Sequence, residues 1–216
     1  MKKNKILSLF LALMMICAVL PGCGDGSGSG TEGSNGLQNE RKANNEIVVA
    51  IAQDLEDSLD PHAAAAAGTR EVLFNIYEGL VKPNASGEYV PAVASDSTVS
   101  EDGLTYTFPL REGVLFHNGA AVTTDDVIYS FKTCAETTVD TALAEALSSV
   151  KDITADGNTV TVTLKEANPD FLSYVGMVYI VPADYTDEAT APVGTGPFKF
   201  VSWELGGDVV LEAFED

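Results

Sequence analysis

The chain has 216 residues, 45% of them hydrophobic, and its 32 acidic side chains against 12 basic ones give a formal charge of −20. Acidity on that scale repels phosphate backbones and anionic lipid headgroups, which argues against nucleic acid and an acidic lipid surface as partners. It favours solubility outside the cell and selects no ligand, because surface charge and pocket charge are separate matters.

Lys2, Lys3 and Lys5 precede an apolar run from Ile6 to Leu20. This is the pattern of a signal n-region and h-region, and it falls short of the ~20 residues a spanning helix needs. The run closes on Leu20-Pro21-Gly22-Cys23, which resembles a bacterial lipobox. The resemblance implies cleavage after residue 22 and a lipid attached to Cys23; an ordinary secretory signal with an incidental cysteine is the other reading. Nine of the thirteen residues from Gly24 to Gly36 are Gly or Ser, so 23–45 reads as a flexible tether. Cys17 leaves with the signal and Cys23 is acylated, so Cys134 alone remains in the folded part and no intramolecular disulfide forms. Cys134 reads as a small core residue.

Ile47 to Ala52 is a continuous apolar run, predicting a strand covered on both faces. A loop from Gln53 to Gly68 holds Leu59-Asp60-Pro61-His62 and then five alanines; Gly68 interrupts any helix there and Thr69 caps the next one. That helix, Arg70 to Glu78, buries Val72, Leu73, Ile76 and Tyr77, and Gly79 stops it. From Lys82 the pattern changes to short strands and tight turns. Glu101-Asp102-Gly103 and Asp156-Gly157-Asn158 each predict a hairpin. Tyr106, Phe108 and Leu110 share one strand face, as do Val160, Val162 and Leu164 on another strand. Pro109 cannot donate to a ladder, which places its strand along a sheet edge at that point.

His117-Asn118-Gly119 is a turn signal, and Thr123 or Thr124 caps a helix with Asp125 and Asp126 in its first turn and Val127, Ile128 and Phe131 on its buried stripe. Thr141 to Val150 and Pro169 to Val175 read as helices, and Tyr179 to Pro182 as a strand. The block from Lys82 to Pro192 is therefore α+β with mainly antiparallel pairing. Two glycines and a proline around Thr195 make a backbone that can approach another chain or a ligand closely, and Phe198 to Phe214 folds as a hairpin through Gly206-Gly207.

Leu59-Asp60-Pro61-His62, Asn75 to Val81, Glu88 to Ala94, Thr105-Tyr106-Thr107-Phe108, Leu110-Arg111, Phe116-His117-Asn118-Gly119, Asp125 to Ser130 and Gly194-Thr195-Gly196-Pro197-Phe198 occur in this order. In order and spacing they resemble the bacterial extracellular solute-binding proteins of family 5, the peptide- and nickel-binding components of ABC importers. The resemblance implies a mixed α/β and α+β chain of the periplasmic-binding-protein-like type II. In it, 46–81 opens the first lobe, 82–192 is an inserted α+β domain and 193–216 returns to the first lobe. Family members are more than twice as long, so the first lobe is expected to be incomplete and the second absent.

In the family the loop after the Leu-Asp-Pro-His segment contacts ligand, which here means Ala65, Ala66, Ala67, Gly68 and Thr69. The implied partners are a small-molecule or peptide ligand, the permease subunits of an ABC transporter and, through the lipid, the outer face of the cytoplasmic membrane, at the cell surface or in the periplasm. The family takes peptides above all, and also nickel complexes, haem, opines and oligosaccharides.

The competing class is an exported, membrane-anchored enzyme such as a hydrolase. The inventory for catalysis is thin: two histidines, His62 and His117, read as a hydrogen-bonding loop residue and a turn residue. Hydrolase, zinc-protease and phosphate-loop motifs do not occur. Asp125 and Asp126 are accounted for by the helix start, and Phe108, Phe116, Tyr129 and Trp203 by core positions. No catalytic residue, metal site or cofactor is expected.

Overall fold

The structure is a computed structural model that describes residues 46–52, 55 and 58–215. The signal, Cys23 and the tether lie outside the described residues. The chain separates into two compact units, Met1–Val48 and Val49–Asp216, and every helix and strand among the described residues belongs to the second.

The first helix, α1, spans Ala67–Ile76 and buries Thr69, Val72, Leu73 and Ile76 on one side. It starts earlier than its sequence suggests. Ala66 holds the N-cap position without a side-chain cap, and Thr69 lies inside the first turn, fully buried. High alanine propensity carries the helix back through Gly68 to Ala67. It stops short where the Asp60 carbonyl closes a turn on the N–H groups of Ala63 and Ala64. Nor does Gly79 end the helix: Tyr77 already has extended backbone, its N–H bonded to Leu73 O at 2.9 Å. Gly79 serves another purpose, because a Cβ there would sit 3.1 Å from the carbonyl oxygens of Val175 and Val178.

A hairpin of β1 (Val81–Pro83) and β2 (Tyr89–Pro91) follows, and then a four-stranded antiparallel sheet in the order β3-β4-β6-β5. Its strands are β3 (Thr98–Val99), β4 (Thr105–Pro109), β5 (Val150–Asp156) and β6 (Thr159–Leu164). Tyr106, Phe108 and Leu110 of β4 and its end, with Val160, Val162 and Leu164 of β6, turn one face of the sheet inward. β4 is interior at Tyr106 and Thr107, where β3 covers it, and β3 does not reach Pro109. The proline is tolerated because β3 pairs only with Tyr106 and Thr107, so the side to which residue 109 would donate lies past the end of β3. Leu110 N–H bonds Asn158 O and Ser95 N–H bonds Pro109 O, both at 2.8 Å, which fixes that orientation.

Three helices pack on the inward face: α2 (Thr124–Ala135), α3 (Thr141–Ser148) and α4 (Phe171–Val175). α2 opens with a capping box between Thr123 and Asp126 and buries Val127, Ser130, Phe131 and Cys134. Ile128 is only half-buried, and Tyr129 stays at the surface. Phe108, Phe116, Phe131, Leu143, Leu147, Phe171 and Val175 form one core with the sheet. A second core joins Leu59, Val72, Leu73, Ile76, Tyr77 and Val181 to Phe200, Trp203, Val209 and Leu211 of the last hairpin, β7 (Phe198–Trp203) and β8 (Val209–Ala213).

Two predicted strands do not form. Ile47, Val48 and Val49 are 85%, 79% and 75% exposed, and no strand among the described residues pairs with them; an apolar run without a ladder partner stays irregular. Tyr179 to Pro182 is largely buried, but its N–H groups go to separate elements: Ile180 to Glu78 O at 3.0 Å and Val181 to Ser130 Oγ at 3.0 Å. Among the described residues no helix is long and apolar enough to cross a membrane.

Candidate functional site

A cleft of about 340 Å³ opens between α1 and the segment linking α2 to α3. One wall is Pro61, His62, Arg70 and Phe74; the other is Thr137, Val139, Asp140 and Met177; Tyr77 and Tyr179 lie at its base. The walls are fixed to each other by polar contacts. His62 N–H donates to Asp60 Oδ1 at 2.9 Å, and its Nε2–H donates to Tyr179 O at 2.9 Å, which sets the neutral tautomer. Thr137 Oγ1 donates to His62 O at 3.0 Å across the cleft. Burial lowers the His62 pKa, outweighing the Tyr179 carbonyl and the Asp60 charge that favour the cation.

The lining combines exposed apolar side chains with paired charges. Phe74, Val139 and Met177 are 58%, 40% and 40% exposed; large apolar side chains gathered at one concavity mark a binding surface. Arg70 meets Asp140 at 3.0 Å, and Lys82 meets Glu78, four residues before it in the chain, at 2.5 Å. The cleft thus carries two cations and two carboxylates, each pair satisfied in place.

Ala65, Ala66, Ala67, Gly68 and Thr69 do not line this cleft. They lie beside it, between Ala64 and Arg70, which do. Ala65 and Ala67 are exposed, Ala66 is half-buried, and Gly68 and Thr69 are buried. The five therefore flank the cleft along the start of α1.

His117 binds the protein's own chain. Its Nδ1 accepts from Gly194 N–H at 3.3 Å, its Nε2–H donates to Gly196 O at 2.9 Å, and its own N–H donates to Gly194 O at 2.9 Å. The close approach foreseen for the Gly-Thr-Gly segment is likewise internal: a Cβ at Gly194 would lie 2.1 Å from Ile76 O, and one at Gly196 2.6 Å from Asn75 O. Both glycines cross over the end of α1, with Gly196 N–H bonded to Ile76 O at 2.8 Å.

Three residues of interest carry no signal in the sequence. Arg70 and Asp140 face the cleft from elements 70 positions apart, a proximity no local pattern reveals. Glu188 is 7% exposed in a stretch of polar residues that reads as an ordinary loop. Its Oε2 accepts from the Tyr77 hydroxyl and from Val193 N–H at 2.9 Å, while Oε1 is buried without a partner among the described residues. Burial pushes its pKa up to about 7, against the opposing effect of those two donors. Cys134 lines the cleft too, but burial raises its thiol pKa to about 12, so it is not a nucleophile.

Residues 88–216 match the bacterial extracellular solute-binding proteins, family 5 (middle). The chain is 30% identical over 235 residues to the dipeptide-binding protein DppE of Bacillus subtilis (strain 168), covering 97% of this chain and 42% of that one. It is 27% identical over 231 residues to the oligopeptide-binding protein OppA of the same organism, covering 95% and 42%. The chain thus spans about two fifths of the length of these relatives. Among solved structures, the ABC transporter-associated periplasmic binding protein DppA from Helicobacter pylori, in complex with peptide STSA, superposes with a TM-score of 0.67 at 30% identity, over 76% of this chain and 38% of that one.

Proposed function

The chain belongs to the bacterial extracellular solute-binding proteins of family 5, and from that premise we propose that the whole protein captures a peptide outside the cytoplasmic membrane and delivers it to an ABC-type importer. Its fold is that of the type II periplasmic binding proteins. The observation that carries the reading is the cleft. Its volume of about 340 Å³ lies at the lower end of small-molecule sites, and apolar walls with a few convergent polar groups are what such sites present. A peptide matches both features, with side chains for Phe74, Val139 and Met177 and charged ends for the ion pairs. The names of the relatives agree, being those of dipeptide- and oligopeptide-binding proteins.

Residues 46–81 and 193–216 supply the first lobe and 82–192 the inserted domain. Of Ala65 to Thr69, the exposed Ala65 and Ala67 and the half-buried Ala66 have side chains small enough for a peptide to pack against this stretch beside the cleft. A ligand held between this lobe and a second one stabilises the closed arrangement by its differential affinity for it. The protein is not an enzyme in this reading.

The test is calorimetry on the full-length protein with defined di- to tetrapeptides. Binding is expected, and Ala66→Trp weakens it by about tenfold or more, since an indole beside the cleft obstructs a peptide packed against this stretch. Unchanged affinity in a folded variant moves the site away from this loop. Anchoring is tested separately: Cys23→Ala, expressed in the native host, is expected to release the protein from the membrane fraction. Retention after detergent-free washing refutes the lipid anchor.

A further inference from the structure

The Arg70 guanidinium is held by two contacts and uses only part of its hydrogen-bonding capacity. Nε–H donates to Ala64 O at 3.2 Å and Nη2–H donates to Asp140 Oδ2 at 3.0 Å, while Nη1 has no partner among the described residues. Asp140 takes up one N–H of the rest. Its Oδ1 accepts from Leu143 N–H at 3.0 Å and so caps α3, while Oδ2 alone meets Arg70. A guanidinium is shaped for two parallel bonds to one carboxylate, and here that geometry is left open. Ala64, Arg70 and Asp140 all line the cleft, and the Arg70 side chain is 41% exposed. The other cation of the cleft, Lys82, is a point charge already matched by Glu78, four residues before it in the chain.

We propose that Arg70 is the specificity residue of the cleft and that it takes a carboxylate of the ligand on its open Nη1 edge, a role that rests on the cleft being the ligand site. Ala64 and Asp140 fix the plane of the guanidinium in advance, so little side-chain freedom is lost when the carboxylate arrives. Asp140 is then a competitor as well as a brace, since both carboxylates draw on the same cation. In a peptide the acidic group is either the C-terminus or an Asp or Glu side chain, and Arg70 accepts both.

The experiment uses the full-length protein and two equimolar tripeptide pools, one with free C-termini and one C-terminally amidated, with retained peptides identified by mass spectrometry. The wild type is expected to retain the free acids at least about tenfold better than the amides. Members of the amide pool that are retained and carry Asp or Glu identify a side-chain carboxylate as the source. Arg70→Met abolishes the preference, Arg70→Lys keeps part of it, and Asp140→Asn, which can still cap α3, strengthens it. If Arg70 merely braced the walls, Arg70→Met and Asp140→Asn would both weaken binding of acids and amides alike, and that result overturns the proposal. So does a preference that survives Arg70→Met. Loss of the half-exposed ion pair removes little stability, so the variants remain folded. A second arm titrates N-acetylalanine, a bare monocarboxylate, and follows the melting temperature. A saturable rise in the wild type that is absent in Arg70→Met sustains the carboxylate site even when both pools fail, in which case only the peptide reading falls. No rise, with both pools failing, ends both.

Discussion

Glu188 sits with 7% exposure between Tyr77 and the Val193 N–H, with no cation against it among the described residues. The charge that reaches it is that of Asp60, which opposes ionisation. Its carboxyl is therefore pushed up from the ordinary 4.5 to about 7, burial being the leading cause. A raised carboxyl favours the folded state fully below about 4.5, and that contribution is lost as the pH climbs through about 7. The displacement corresponds to on the order of 3 kcal/mol. His62 and His117 work in the opposite direction: burial lowers both, so their contribution is present above about 6.5 and is lost as the pH falls further. Glu188→Gln removes one side of this balance while keeping an acceptor for Tyr77. Between pH 5 and pH 8 the wild type is expected to lose on the order of 3 kcal/mol relative to the variant, measured by urea unfolding at each pH. Parallel pH profiles for the two proteins would show that Glu188 does not titrate in this range.

Among the elements, those whose partners lie nearby in the chain are legible in the sequence. The capping box at Thr123, the inward faces of β4 and β6 and both hairpin turns follow from alternation, turn chemistry and cap preference, which act over a few residues. The features that cannot be read this way depend on distant partners. Ile47 to Val49 has strand composition but no ladder partner among the described residues, Thr69 lies within a helix that alanine extends backward, and β4 is interior only where β3, two residues long, covers it. The candidate site follows the same division. The loop beside the cleft is marked by its family segment, whereas Arg70, Asp140 and Glu188 are brought into place by the tertiary fold. Asp126 shows how one residue can belong to both groups. It reads as a helix-start carboxylate, and it does accept from Thr123 N–H at 2.8 Å, but its other oxygen accepts from Ala183 N–H at 2.8 Å and so ties α2 to the segment after residue 180. Thr123→Ala is expected to cost about 1 kcal/mol, the value of a cap. Asp126→Ala loses the cap and strands the Ala183 N–H as well, for a total of about 2–4 kcal/mol. Equal losses in denaturant unfolding would mean that the Ala183 contact contributes nothing.

At the scale of the molecule, the two cores differ in how far the described residues enclose them. The larger is built from residues between Leu80 and Ile180, with sheet and helices covering each other and Phe108, Val160, Val162, Phe171 and Val175 fully buried. The second depends on β7 and β8, a two-stranded sheet, and a lone hairpin is marginal in water unless something packs on it. One face of that hairpin does pack, through Phe200, Trp203, Val209 and Leu211. The other does not: Val201 and Val210 are 49% and 44% exposed, Phe198 at the start of the hairpin is 38% exposed, and Leu205 at the turn is 72% exposed. Local opening should follow this division, because opening a segment costs free energy in proportion to the apolar surface it exposes. In the 216-residue chain, hydrogen exchange is expected to be slowest in β4, β6 and α2. Exchange in β7 and β8 should be faster by an order of magnitude or more, corresponding to at least ~1.4 kcal/mol of difference in opening free energy. Apolar dye binding and concentration-dependent light scattering should accompany it, as open apolar faces and strand edges attract one another. Uniform protection across both cores, with a single sharp melt independent of concentration, would mean that the last hairpin is held as firmly as the central sheet, and that the exposed face is tolerated as it stands.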